Sequence, residues 1–117
     1  MAIFAEFLQE KVTDPARQQR LRAIFDRLAK DYPQLVGKIG WRQPLYTDHG
    51  TFIIAFKPTK NYLTVSPEVA AMTKFAVAIE EAGYTQITNP FRSGWQQPIS
   101  YSLLAAIITF NRVEKQG

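Results

Sequence analysis

This sequence predicts an α+β fold in two layers, an antiparallel sheet of about five strands packed against helices, and two observations predict it. Strand-like segments follow one another through residues 51–65 with only short turns between them, which makes their pairing antiparallel. Helical segments are grouped before and after that run, with apolar faces suited to one side of a sheet. The expected order is α-α-β-β-β-α-β-β-α.

The first helix is expected over residues 2–12, where Ile3, Phe4, Phe7 and Leu8 share a face and Glu6 and Glu10 lie on the other. A second begins at Asp14-Pro15, an N-cap followed by proline at the first helical position, and Pro33 closes it. Its buried stripe is Leu21, Ile24, Phe25 and Leu28; Arg20 and Arg27 flank the stripe and read as solvated rim charges. The segment KIGWRQPLYTDHG (38–50) then leads into TFIIAFK, the strongest strand, where Phe52, Ile54 and Phe56 alternate. Asp48-His49-Gly50 supplies the connection, with glycine where a left-handed conformation is wanted. A turn at Lys57-Pro58-Thr59-Lys60 returns the chain as NYLTV.

Ser66-Pro67-Glu68 has the composition of a helix start, and the helix is expected to reach Ala82 and stop at Gly83. Met72, Phe75, Ala76 and Ile79 form its core face, while Ala70 and Val77 point away. GYTQITNPFRSGWQQP (83–98) offers two short strands or extended segments. The last helix starts near Ser100 with a broad apolar arc of Leu103, Leu104, Ile107, Ile108 and Phe110; either it is deeply packed or part of it meets a second subunit.

At 117 residues the chain reads as a single domain, 1–117, able to bury a core without staples. It has no cysteine, which excludes disulfides, thiolate metal sites and a cysteine nucleophile, and suits a cytoplasmic location. MAIFAEFLQEKV lacks a basic leader, and no apolar run approaches the ~18 residues of a membrane span, so no membrane role is expected. The net charge is +4 with a pI near 9.5. The fourteen basic residues are scattered without a run of three, and read as surface scatter in preference to a nucleic-acid groove.

Candidate chemistry is sparse. His49 sits beside Asp48 at a hairpin tip with no positioned partner, and reads as an exposed turn residue. Glu6, Glu10 and Asp14 fall at i, i+4 and i+8; on a continuous helix they would line one edge, where carboxylates can hold a hard cation. Glu80-Glu81 is a second acidic pair. Trp41 is expected to cover the edge of the core and Trp95 a loop before the last helix. The alternative is a small-molecule cleft, with Trp41, Tyr46, Arg92 and Trp95 as its candidate residues and Arg42 beside Trp41. There is no phosphate-binding glycine loop, HExxH or GxSxG, and nothing marks an enzyme.

Three stretches resemble a known family: YPQLVGKIGWRQPLY, SPEVAAMTKF and GYTQITNPFRSGWQQPIS. They are similar to the YdhG-like family of small bacterial proteins, some members of which are described as frataxin-like iron chaperones. The likeness spans about residues 15–113 and rests mainly on Lys38, Ile39, Trp41, Pro44, Gly83, Tyr84, Arg92, Pro98 and Ile99. The chain departs from the pattern at Val36-Gly37, where relatives carry an acidic pair, and at Ser93-Gly94, where they carry an aromatic and a proline. The resemblance implies helices against an antiparallel sheet, and intracellular iron binding by surface carboxylates, with delivery to an iron-accepting protein and no tightly bound cofactor. The alternative expectation is a non-enzymatic small-molecule or protein-interaction domain, forming a homodimer and having no metal role.

Overall fold

The computed structural model describes residues 2–87 and 90–116, with side chains over 4–87 and 90–113. Helix α1 (Ala2–Lys11) buries Phe4, Phe7 and Leu8 and leaves Glu6 and Glu10 exposed; the expected place of Ile3 on that face lies outside the described side chains. Helix α2 (Pro15–Asp31) starts as its sequence dictates. Asp14 Oδ1 accepts from the backbone N–H groups of Ala16 (2.8 Å) and Arg17 (3.2 Å), occupying donors that the first helical turn cannot satisfy internally. Leu21, Ile24, Phe25 and Leu28 are its buried stripe.

Four strands then form a meander: β1 (Val36–Gly40), β2 (Gln43–Asp48), β3 (Thr51–Pro58) and β4 (Tyr62–Pro67). The expected three-stranded meander thus gains a strand, because KIGWRQPLY is itself a hairpin. Gly40 pairs with Gln43, so Trp41 and Arg42 alone make the turn, both left-handed at φ 50° and 63°. That is the backbone of a type I′ turn, whose usual signal is Asn-Gly. The β2–β3 turn repeats it with His49 (φ 52°) and Gly50 (φ 80°) between the paired Asp48 and Thr51.

The helix expected to start with Ser66 as its cap and Pro67 at its first position begins instead at Val69, because Ser66 and Pro67 end β4. It is broken at Phe75 into α3 (Val69–Lys74) and α4 (Ala76–Glu81). Its end is as expected: Gly83 is left-handed at φ 89°, Gly83 N–H donates to Glu80 O, and Tyr84 N–H donates to Ile79 O. Strands β5 (Thr85–Gln86) and β6 (Phe91–Gly94) follow, then α5 (Tyr101–Gln116). Among the described residues the sheet has six strands in the order β1-β2-β3-β4-β6-β5, every neighbouring pair antiparallel.

One face of the sheet carries Tyr46, Ile54, Phe56, Val65 and Phe91, and these join the buried side chains of all five helices in a single core. An aromatic group ties α1 and α2 to it: Phe4 meets Phe25 at 4.6 Å and Tyr46 at 5.6 Å, and Phe25 meets Phe56 at 6.1 Å. The start of α5 is fastened by Tyr84, whose hydroxyl donates to Pro98 O (2.9 Å) and accepts from Ser100 N–H (2.8 Å).

Candidate functional site

The structure divides the candidate carboxylates between two places. Glu6 and Glu10, i,i+4 on α1, rim a groove of about 280 Å³ whose other walls include Phe7 and Ile39 and whose cations are Lys11 and Arg42. Asp14 is not on that line. Helix α1 ends at Lys11, and Asp14 caps α2 beside a different cleft, also about 280 Å³, with Lys11, Arg17, Lys60 and Trp95. Among the described residues no group of three or more His, Cys, Asp or Glu stands close enough to hold a metal ion. Glu80 is at the end of α4 and Glu81 beside it, both exposed.

The four cleft candidates are likewise separated. Trp41 does not seal the core: it is 78% exposed at the β1–β2 tip, with its indole edge-on to Phe52 at 6.2 Å. Tyr46 is buried in the core on the helix side. Arg92 lies over the ring of Tyr62 at 5.0 Å. Trp95 stands near α2, its indole N–H donating to Thr59 O (3.0 Å) and its ring beneath the Arg17 guanidinium (5.0 Å). Trp95 lines two clefts together with Asp14 and Arg17, and Trp41 lines neither of them.

Burial pushes the Tyr46 phenol well above its ordinary value of 10.0, with the Asp26 charge adding to the rise. Above pH 10 the unfolded chain ionises at this position while the folded chain stays neutral, so the unfolded state holds fewer protons and stability falls as pH rises. We expect Tyr46→Phe to flatten the alkaline limb of a denaturation series, removing up to about 1.4 kcal/mol per pH unit of the loss. An unchanged alkaline slope would place the cause elsewhere.

Sequence reasoning missed Arg20. It is not a solvated rim charge. Its Nη1 donates to Trp95 O (2.8 Å), its Nη2 to Ser93 Oγ (3.2 Å) and to Gln97 O, tying α2 to the loop before α5. Desolvation lowers its pKa, although Tyr84 and Tyr101 act in the opposite direction. Arg27 behaves more nearly as expected: it is exposed, paired with Asp31 at 2.7 Å and stacked over Tyr101 at 4.8 Å. His49 is exposed, its Nδ1 3.0 Å from one oxygen of the buried Asp48, whose other oxygen accepts from Arg112 Nε at 3.0 Å.

These features define a class: a small α+β domain whose antiparallel sheet is covered by helices on one face, with exposed carboxylates that are not gathered, among the described residues, into a group of three or more His, Cys, Asp or Glu able to hold a metal ion. A Bacillus subtilis (strain 168) protein named intracellular iron chaperone frataxin is 36% identical over 115 residues, covering 98% of this chain and 93% of its own. The crystal structure of YdhG, a DUF1801-family protein from Bacillus subtilis, matches with a TM-score of 0.95 at 36% identity, over 99% of this chain and 93% of that one. An uncharacterized conserved protein from Lactobacillus casei ATCC 334 matches with a TM-score of 0.65 at 35% identity, over 96% and 91%. No family model matches the chain. On these relatives the chain belongs to the YdhG-like, DUF1801 family.

Proposed function

We propose that the protein is a non-catalytic, cytoplasmic iron carrier that binds iron weakly on surface carboxylates and passes it to an accepting protein. The observation that carries this reading is the 36% identity, over nearly the whole chain, to a relative named as an intracellular iron chaperone. Among the described residues no helix is long and apolar enough to cross a membrane. Glu6 and Glu10 are the donors of choice, because both are exposed, one helical turn apart and open to a groove. Asp14 is set aside, since Oδ1 is engaged by the α2 backbone and the residue faces another cleft. Arg42 and Lys11 beside the pair oppose a bound cation, which suits release better than storage.

The test is anaerobic calorimetry of the metal-free protein with ferrous iron, using calcium and magnesium as controls. Saturable binding that weakens by about tenfold or more, roughly 1.4 kcal/mol, in Glu6→Gln/Glu10→Gln is the expected result. Saturable binding untouched by that variant would move the site; no heat above the controls would remove the iron reading. The second reading would then stand, an interaction domain or homodimer without a metal role. It is favoured by apolar side chains left exposed on α4 and α5, Val77 (67%) and Val113 (63%), and by the partly buried Phe75 and Phe110, whose rings meet edge-on at 5.8 Å.

A further inference from the structure

The sheet face turned away from the helices has a composition of its own. Register fixes its membership: Lys38 stands opposite Leu45, Leu45 opposite Ala55 and Ala55 opposite Ser66. Two residues along, Lys57 stands opposite Thr64 and Thr64 opposite Arg92. Alternation puts both rows on the same side, opposite Tyr46, Ile54, Phe56, Val65 and Phe91 of the core. The buried apolar side chains of the helices belong to that core, so the helices pack on the other face; on this one Leu45 and Ala55 are buried, while Lys38 and Lys57 are exposed.

Three cations, Lys38, Lys57 and Arg92, rise from this open face, and no strand carboxylate accompanies them. Asp48 is the one acidic residue in the described strands, and it is buried and turned to Arg112 of α5. Basic residues that are scattered in sequence are therefore gathered by the fold. Aromatic rings lie among them. Tyr62 is 39% exposed under the Arg92 guanidinium, and Trp41 leans back from its turn onto Phe52.

The backbone adds an independent observation. A left-handed conformation strains a residue with a side chain, and Trp41 and Arg42 both adopt it, where Asn-Gly would do so readily. An indole that is 78% exposed recovers little of that through packing. Strain held to present an aromatic ring to solvent is what a binding position shows.

We propose that this open face binds single-stranded nucleic acid, with bases stacking on Trp41 and on the Tyr62–Arg92 pair and phosphates meeting Lys38 and Lys57. Flat rings interleaved with cations on a sheet are the chemistry of that ligand, since every base offers a π-face and every linkage a charge. A duplex keeps its bases stacked inside and cannot use the rings. An acidic protein surface would use the cations and leave the indole without a flat partner. The proposal is independent of the iron reading.

The experiment is fluorescence anisotropy of labelled oligothymidylate and oligouridylate of about 15 nucleotides, long enough for one such platform. Saturable binding at low salt is expected, weakening linearly in log–log form with a slope of about −1.4, the value for two phosphate contacts on a single strand. Trp41→Ala should weaken binding about tenfold or more, and Trp41→Phe should restore most of it. Lys57→Gln, at an exposed position that leaves the hairpin turn untouched, should cut the slope by about 0.7. Absence of saturable binding would overturn the proposal, as would equal binding by the Trp41→Ala protein. Equal competition by a duplex or inorganic polyphosphate would reduce the face to an unspecific positive surface. Better competition by polyglutamate would assign it to an acidic protein and overturn the proposal too.

Discussion

Phe56→Ala is expected to destabilise the fold by about 3–5 kcal/mol, the range for deleting a buried aromatic side chain. Phe56 is fully buried on β3, and its ring meets Phe25 of α2 at 6.1 Å and Tyr46 of β2 at 6.3 Å, both edge-on. The loss therefore removes transfer energy, two ring contacts and the filling of a site walled by a helix and a sheet, neither of which can collapse fully into the hole. Domains of this size have about 5–15 kcal/mol of stability in total, so the variant would sit near the threshold of folding. A fall in melting temperature of roughly 10–20 °C corresponds to that loss. Urea denaturation checks it: the midpoint should drop with little change in slope, and Phe56→Leu should lose far less. A loss below about 1.5 kcal/mol for the alanine variant would show that the helix layer is not anchored at this ring.

The parts of the fold that could be read from sequence are those whose signals are local. Asp14-Pro15 announced α2 because the cap and the proline act on backbone groups within one turn. β3 was legible from its β-branched residues, and Gly83 from the need for a left-handed stop. The expected alternation of Phe52, Ile54 and Phe56 fails, because a register shift at Ile53 takes Phe52 off the core face and Ile53 through Phe56 are all buried. The β1–β2 hairpin was hidden for a physical reason. Trp41 and Arg42 occupy a turn whose usual residues are Asn and Gly, and Pro44 argues against a strand at a position where β2 has one. Tyr46, a cleft candidate in sequence, became a core residue once β2 turned it toward α2.

The candidate site was less legible than the fold, because its geometry is set by residues distant in sequence. Glu6, Glu10 and Asp14 have helical spacing, yet the helix ends at Lys11 and Asp14 serves the next one. Conversely, Lys38, Lys57 and Arg92 share no sequence pattern, and only the strand register places them on one face. The place beside the buried stripe that suggested a rim role for Arg20 describes its helix alone and says nothing about residues 93–97, where its acceptors lie.

Arg20→Met should cost about 2–3 kcal/mol and loosen the loop before α5. The side chain holds two backbone carbonyls, those of Trp95 and Gln97, together with the hydroxyl of the fully buried Ser93. Methionine supplies comparable apolar bulk and no donor, so all three acceptors lose a partner, and the buried Ser93 hydroxyl cannot replace it with water. Arg20→Lys should recover little, since a single ammonium on a flexible stem does not reproduce a planar fork aimed at three acceptors. The expected signature is local as well as global. Gln97 accepts from Gly94 N–H (2.6 Å) and donates to Gly83 O (2.7 Å), and Trp95 donates to Thr59 O, so releasing Arg20 frees a loop that also ties β6 to α4 and to the β3–β4 turn. Hydrogen exchange should therefore quicken at Gly94 and Gln97 more than at Leu21 or Ile24 on the buried side of α2. Uniform quickening across both elements would mean that Arg20 supports only overall stability, and unchanged exchange in the loop would show that its other hydrogen bonds suffice.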